Sequence, residues 1–174
     1  MDRELTQMSR GKRRETAGAG SSVAIVAVGD AFSEEDEELL SKAREYLRDE
    51  GHTVVRLDRA SPSFDDIQSV LRQCMEDGNI ASIIVMGRTG VSARDLTLEA
   101  VNHFAEKEMP AFSAVFSMMC YEEVGAPAIV QRAEAFGSEG KAVFVIPLSK
   151  LAVKKAVKRL IAPHLSEIVM NLRE

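Results

Sequence analysis

The residues best placed for chemistry sit directly after apolar runs, where a strand would end. Gly87-Arg88-Thr89-Gly90 follows Ser82-Ile83-Ile84-Val85-Met86, and Asp95 comes shortly after. Glycines in such a loop let backbone approach a ligand closely, and its N–H groups can hold phosphate oxygens. Asp30 follows the first apolar run, Asp65 lies in the segment 58–66, and Ser149 lies in the segment 147–150. Loop carboxylates either take part in catalysis or cap the following helix. By spacing alone, capping is the stronger expectation for both Asp65 and Asp95. A lone Gly-x-Thr-Gly is a weak signal, because strand-end glycines often only make the turn. Other chemistry is poorly supplied. His52, His103 and His164 are scattered, and Cys74 and Cys120 lack the paired spacing of a zinc site. Both cysteines read as reduced core thiols.

These loops need a scaffold, and the apolar pattern supplies one. Val23-Ala24-Ile25-Val26-Ala27-Val28 predicts a strand buried on both faces. Ser33 and the acidic residues 34–38 then open a helix carrying Leu39, Leu40, Ala43, Tyr46 and Leu47. Thr53-Val54-Val55-Arg56-Leu57 predicts a second strand. A helix opening at Ser63 points Ile67, Val70, Leu71 and Cys74 inward, and Ser82-Ile83-Ile84-Val85-Met86 predicts a third strand. A helix is expected near residues 96–106, helical periodicity runs across 112–136, and Ala142-Val143-Phe144-Val145-Ile146 predicts another strand. Two helices follow between residues 151 and 171, broken at Pro163. Strands alternating with helices over short connections predict a three-layer α/β/α domain with a mostly parallel sheet. Its ligand site belongs at the carboxyl ends of the strands.

Composition narrows the class. The chain has 174 residues, 45% of them hydrophobic, and a net charge of −5. One domain of 22–174 behind a flexible polar tail of 1–21 accounts for that length. The acidic balance argues against nucleic acid as a partner. No apolar run approaches the roughly 20 residues that span a bilayer, so no membrane association is expected; two reduced cysteines lead to the expectation of a cytoplasmic location. The GKRR cluster at residues 11–14 is too short to change that expectation.

The loop residues also carry a family resemblance. Ile84-Val85-Met86-Gly87-Arg88-Thr89-Gly90, continuing through Arg94-Asp95-Leu96-Thr97, resembles the signature of the MoaB/Mog family of molybdenum-cofactor biosynthesis. There the loop reads Gly-Gly-Thr-Gly, followed by Arg-Asp-x-Thr. Met109-Pro110-Ala111-Phe112 resembles the family's Met-Pro-Gly-Phe, and Tyr121-Glu122-Glu123-Val124-Gly125 its Tyr-Glu-Glu-Ile-Gly. Arg132-Ala133, Pro147-x-Ser149, Asp30 and Asp65-Asp66 fall on further family positions, collinear across about residues 22–168. The resemblance implies a homotrimer or homohexamer that adenylylates molybdopterin with ATP and Mg²⁺. It implies catalytic, Mg²⁺-holding roles for Asp95 and Asp65. It places Gly87, Arg88, Thr89, Gly90, Thr97, Asp30 and Ser149 around the substrate.

Departures from the family pattern cluster in the ligand loops. Arg88 replaces a glycine, Glu37-Glu38-Leu39-Leu40 align with Asp-Thr-Ser-Gly, and Leu148 and Leu151 fall in a loop that has lost its glycines. Arg88, Leu148 and Leu151 are therefore expected to fill ligand space. The alternative function is a non-catalytic pterin-binding or assembly paralogue. The apolar segment 112–119 is expected to face another copy of the chain.

Overall fold

The computed structural model describes residues 19–174. The predicted tail lies outside them except for its last residues, and Ser21 already belongs to the fold. It is buried, and its N–H donates to His52 Nδ1.

β1 (Ser22–Val28) is the expected apolar strand, shielded on both faces. Ser33 opens α1 (Glu34–Asp49): its hydroxyl accepts from the Asp36 N–H while the Asp36 carboxylate accepts from the Ser33 N–H. That reciprocal box satisfies two donors that the first turn leaves free. β2 (Thr53–Ala60) leads through Ser61-Pro62 to Ser63, which caps α2 (Phe64–Glu76) through the Asp66 N–H. After β3 (Ser82–Met86) come a short α3 (Thr97–Val101) and a 3₁₀ turn over Asn102–Phe104. β4 (Lys107–Glu108), α4 (Pro110–Val124) and a 3₁₀ segment Ala126–Val130 precede a hairpin of β5 (Glu134–Ser138) and β6 (Lys141–Ile146). α5 (Lys150–Ala152) runs into a π-helix, Val153–Ile161, and α6 (Leu165–Arg173) completes the described chain.

The six strands lie in the order β2-β1-β3-β6-β5-β4. β2, β1, β3 and β6 are mutually parallel; β5 pairs antiparallel with β6, and β4 antiparallel with β5. One face of the sheet packs Leu40, Leu47, Phe116 and Val157 from α1, α4 and the π-helix. The other packs Ile67, Leu71 and Val101 from α2 and α3. This is the expected three-layer α/β/α arrangement. Cys74 and Cys120 are free and buried, as expected, and burial pushes the Cys74 thiol up to about 11.

The sequence misleads in one stretch. Helical periodicity across 112–136 covers three elements, because α4 stops at Gly125, whose φ of 70° ends the helix. β5 has no β-branched residue to announce it. Its turn is more telling: Glu139 and Gly140 have φ of 51° and 72°. Two left-handed residues make the tight hairpin turn whose twist matches the strands.

Candidate functional site

A cavity of about 630 Å³ opens at the carboxyl ends of the parallel strands. It lies where the chain, having gone from β1 outward to β2, returns to the other side of β1 as β3. Connections diverge at such a switch point and leave a crevice. Its walls come from residues 28–32 after β1, 87–91 after β3, 147–148 after β6, and 130–132 before β5.

Gly87 is required by a close approach. Its φ is 115°, and a Cβ there would sit 2.5 Å from the Val28 carbonyl oxygen. Its N–H donates to Ile146 O at 3.0 Å, so the loop is fastened across the ends of β1 and β6. Arg88 follows with φ 56°. The backbone thus keeps the left-handed form that suits glycine, but carries an arginine.

Asp95 folds back on the same loop. Its Oδ2 accepts from the Ser92 N–H at 3.0 Å and the Ser92 hydroxyl at 2.7 Å. Oδ1 lies 3.6 Å from Arg88 Nε. The hydrogen bonds from Ser92, aided by Arg88 and Arg132, hold the Asp95 carboxyl below the usual carboxylate range. A Cβ on Gly90 would meet Oδ2 at 2.6 Å, so this glycine makes room for the carboxylate. Asp95 therefore does not cap α3. Leu96 occupies that position and offers no side-chain bond.

Arg132 holds the loop from outside. Its Nε donates to the carbonyls of Thr89 and Gly90, both at 3.0 Å, and one terminal nitrogen reaches Gly90 O at 2.6 Å. The other pairs with Glu99 at 2.8 Å and holds that carboxyl low. Every edge of this guanidinium is engaged. Phe32, packed over Gly29 with the Arg59 guanidinium 5.3 Å from its ring, adds an apolar wall.

The structure brings together many of the predicted residues. Asp30, Gly87, Arg88, Thr89, Gly90 and Asp95 all line the cavity. Thr97 is buried just behind it: its N–H donates to Arg88 O at 3.4 Å, and its hydroxyl has no partner among the described residues. Ser149 caps α5 through the Ala152 N–H, and its neighbours Pro147 and Leu148 supply the wall instead. Asp65 stands apart. It is exposed beside Gln68, Ser69 and Arg72 on the outer face of α2, away from the cavity. One other expectation is corrected: Leu151 packs on the core rather than in the cavity. Leu39 and Leu40 are core residues of α1, as their helical spacing predicts. Glu37 is turned towards Arg59, at 2.6 Å. Arg132, Phe32, Asp36 and Gln131 were not singled out as site residues from the sequence, although all four line the cavity.

The donors present do not make a resident site for Mg²⁺. Among the described residues no three His, Cys, Asp or Glu side chains converge. Asp95 has one oxygen committed to Ser92, and the other faces a guanidinium. Asp65 is elsewhere. Among the described residues no helix is long and apolar enough to cross a membrane.

Residues 24–167 match the family described as "Probable molybdopterin binding domain". The chain is 32% identical over 166 residues to molybdenum cofactor biosynthesis protein B of Halalkalibacterium halodurans, covering 95% of this chain and 98% of that one. It is 34% identical over 108 residues to a probable molybdopterin adenylyltransferase of Methanocaldococcus jannaschii, covering 62% and 66%. A crystal structure of a molybdenum cofactor biosynthesis protein B superposes with a TM-score of 0.84 at 30% identity, covering 88% and 96%.

Proposed function

This chain belongs to the family of probable molybdopterin binding domains, and from that membership we propose that it serves molybdenum or tungsten cofactor biosynthesis by adenylylating molybdopterin with ATP. The observation that carries this reading is the cavity: a glycine-flanked loop and a low-titrating Asp95 at a strand-end crevice. In the reaction, an oxygen of the pterin's terminal phosphate attacks the α-phosphorus of ATP. The bond from that phosphorus to its bridging oxygen breaks, and pyrophosphate leaves. Two anions must meet, so the site has to orient them and offset their charge. The Thr89-Gly90 backbone, fixed by Arg132, positions phosphate oxygens; Asp95 holds the loop and the Arg88 guanidinium in place. Mg²⁺ arrives with the nucleotide rather than residing in the apoprotein. Phe32 and Leu148 are the apolar walls for the ring system.

Formation of adenylylated molybdopterin from purified protein, molybdopterin and ATP is the decisive assay. Asp95→Ala, which removes the acceptor for Ser92 and the charge beside Arg88, is expected to lower turnover on the order of a hundredfold, as misplacement of a positioning loop does. Asp95→Asn, which can still accept from Ser92, should lose less and leave the unfolding midpoint little changed. Leu148 on the cavity wall favours a second reading, a binding paralogue without turnover, and absence of product with intact molybdopterin binding would establish it.

The chain is also proposed to assemble as a homotrimer or homohexamer. α4 is apolar on both sides: Phe116 and Cys120 face the core, while Val115, Met118 and Tyr121 are exposed. Beside them Ile129 is 88% exposed, and an apolar hollow of about 450 Å³ separates it from Tyr121. A monomer gains nothing from such a patch in water. Sedimentation equilibrium should return a multiple of 19.1 kDa, and Tyr121→Glu should return the monomer.

A further inference from the structure

We infer that Arg88 is the cationic anion-binding side chain of this site, supplying to a ligand's phosphate the positive charge that a resident divalent cation would otherwise supply. The inference rests on the proposal that the ligands are phosphate-bearing, and it goes beyond that proposal by assigning the counter-charge.

Two guanidiniums line the cavity, and they are in opposite states. Arg132 has its donors engaged by Thr89 O, Gly90 O and Glu99. Arg88 makes no side-chain hydrogen bond to another described residue, and its buried Nε is left without a partner. Asp95 Oδ1, at 3.6 Å, is beyond hydrogen-bond length. It is near enough to hold the fork over the cavity by charge, yet leaves its N–H groups available. Nε itself is buried, but Arg88 keeps 34% of its side chain accessible and lines the cavity, so a ligand can reach the guanidinium. The neighbouring Thr97 hydroxyl is a second buried orphan, on the residue whose N–H donates to Arg88 O. Orphaned buried donors cost free energy that a ligand's oxygens can recover.

The backbone adds an independent sign. Arg88 is held at φ 56°, where glycine would rest without strain. Strain of this kind occurs in tight turns, as at Glu139, and clusters at ligand sites, where this residue lies. An obstructing residue would fill the cavity with apolar contacts, and Arg88 instead presents unpaired N–H groups. A planar fork matches two phosphate oxygens, and it remains charged at any pH the protein survives.

The test is calorimetric titration with ATP and, separately, with molybdopterin, each in Mg²⁺ and in chelator. The intact chain should bind within about threefold equally in both conditions. Arg88→Gly should lose about ten- to hundredfold affinity in chelator, the range of a lost charged hydrogen bond. Arg88→Lys should fall between. Which of the two ligands loses affinity identifies whose phosphate Arg88 holds. Arg88→Gly should also melt at a higher temperature than the intact chain, which excludes misfolding as the cause. Strictly Mg²⁺-dependent binding by the intact chain, or unchanged or tighter binding by Arg88→Gly, overturns the assignment and leaves the adenylylation proposal standing. Failure of the intact chain to bind either ligand overturns both.

Discussion

The two ends of the sheet are built on opposite terms. At the amino ends, polar groups are buried and matched. Lys141 Nζ donates to Asp77 O and Ile80 O, both at 2.6 Å. His52 accepts from the Ser21 N–H at one ring nitrogen and lies 2.7 Å from Ala162 O at the other. At the carboxyl ends two buried side-chain atoms have no partner among the described residues, Arg88 Nε in the loop after β3 and Thr97 Oγ1 at the start of α3. Among the described residues, Ser82 Oγ is the one such orphan at the closed end. Where hydrogen bonds are complete the molecule gains stability; where they are left open it gains a place for a ligand.

The comparison is broken most directly at Arg132. Arg132→Ala should release Thr89 O and Gly90 O, and lower adenylylation on the order of a hundredfold, as misplacement of a positioning loop does. Arg132→Lys should recover only part of that rate, since lysine cannot span both carbonyls. Unchanged kinetics in both variants would mean that the loop holds its shape unaided.

Lys141→Met should do the reverse. It leaves two buried carbonyls short of a donor and should cost about 1.5–3 kcal/mol in urea unfolding. Ligand affinity of the folded protein should be unchanged. A variant that kept its stability and lost binding would erase the distinction between the ends.

The smallest effect is in pH dependence. Asp95 and Glu99 titrate below the usual carboxylate range in the folded chain, through Ser92 and Arg132 respectively. A depressed folded value adds stability above the ordinary range, lost as pH falls through the folded value. Burial lowers the Lys141 ammonium, so its contribution has the other sense: stability grows as pH rises from the folded value towards the ordinary one. Urea midpoints measured from pH 7 to pH 3 should fall less in Glu99→Gln than in the intact chain. The difference should be on the order of 0.5 kcal/mol, because the pair is half exposed.

Much of this was legible in the sequence. β1, β3 and β6 are continuous apolar runs, and Ser33 and Ser63 mark helix starts that the structure reproduces. β4 and β5 were not legible. β4 has only two residues, both exposed, and Ala135-Phe136-Gly137 carries no β-branched side chain. Their place is set by pairing with β6 rather than by local preference. The site was legible where it follows the rule that loops after parallel strands bind ligands, hence Asp30, Gly87 and Asp95. Arg132 escapes that rule for a topological reason. β5 runs antiparallel to β6, so the residues before it, not after it, lie at the carboxyl ends of its neighbours. Asp65 illustrates the converse, since a carboxylate in the right segment was carried away once Ser63 took the cap and the helix began.

The adjacency of β3 and β6 sets a schedule for the nascent chain. β1, α1, β2, α2 and β3 form from neighbouring segments, but the free edge of β3 waits for a strand that begins at Lys141. Until then five consecutive buried positions, Ser82 to Met86, offer an open ladder to any passing strand. His52 adds a second delay, because its partner at Ala162 is 110 residues downstream. Contacts so distant slow folding and lengthen the exposure of unpaired edges. The half of the molecule that emerges first from the ribosome is therefore the half most dependent on the last to arrive.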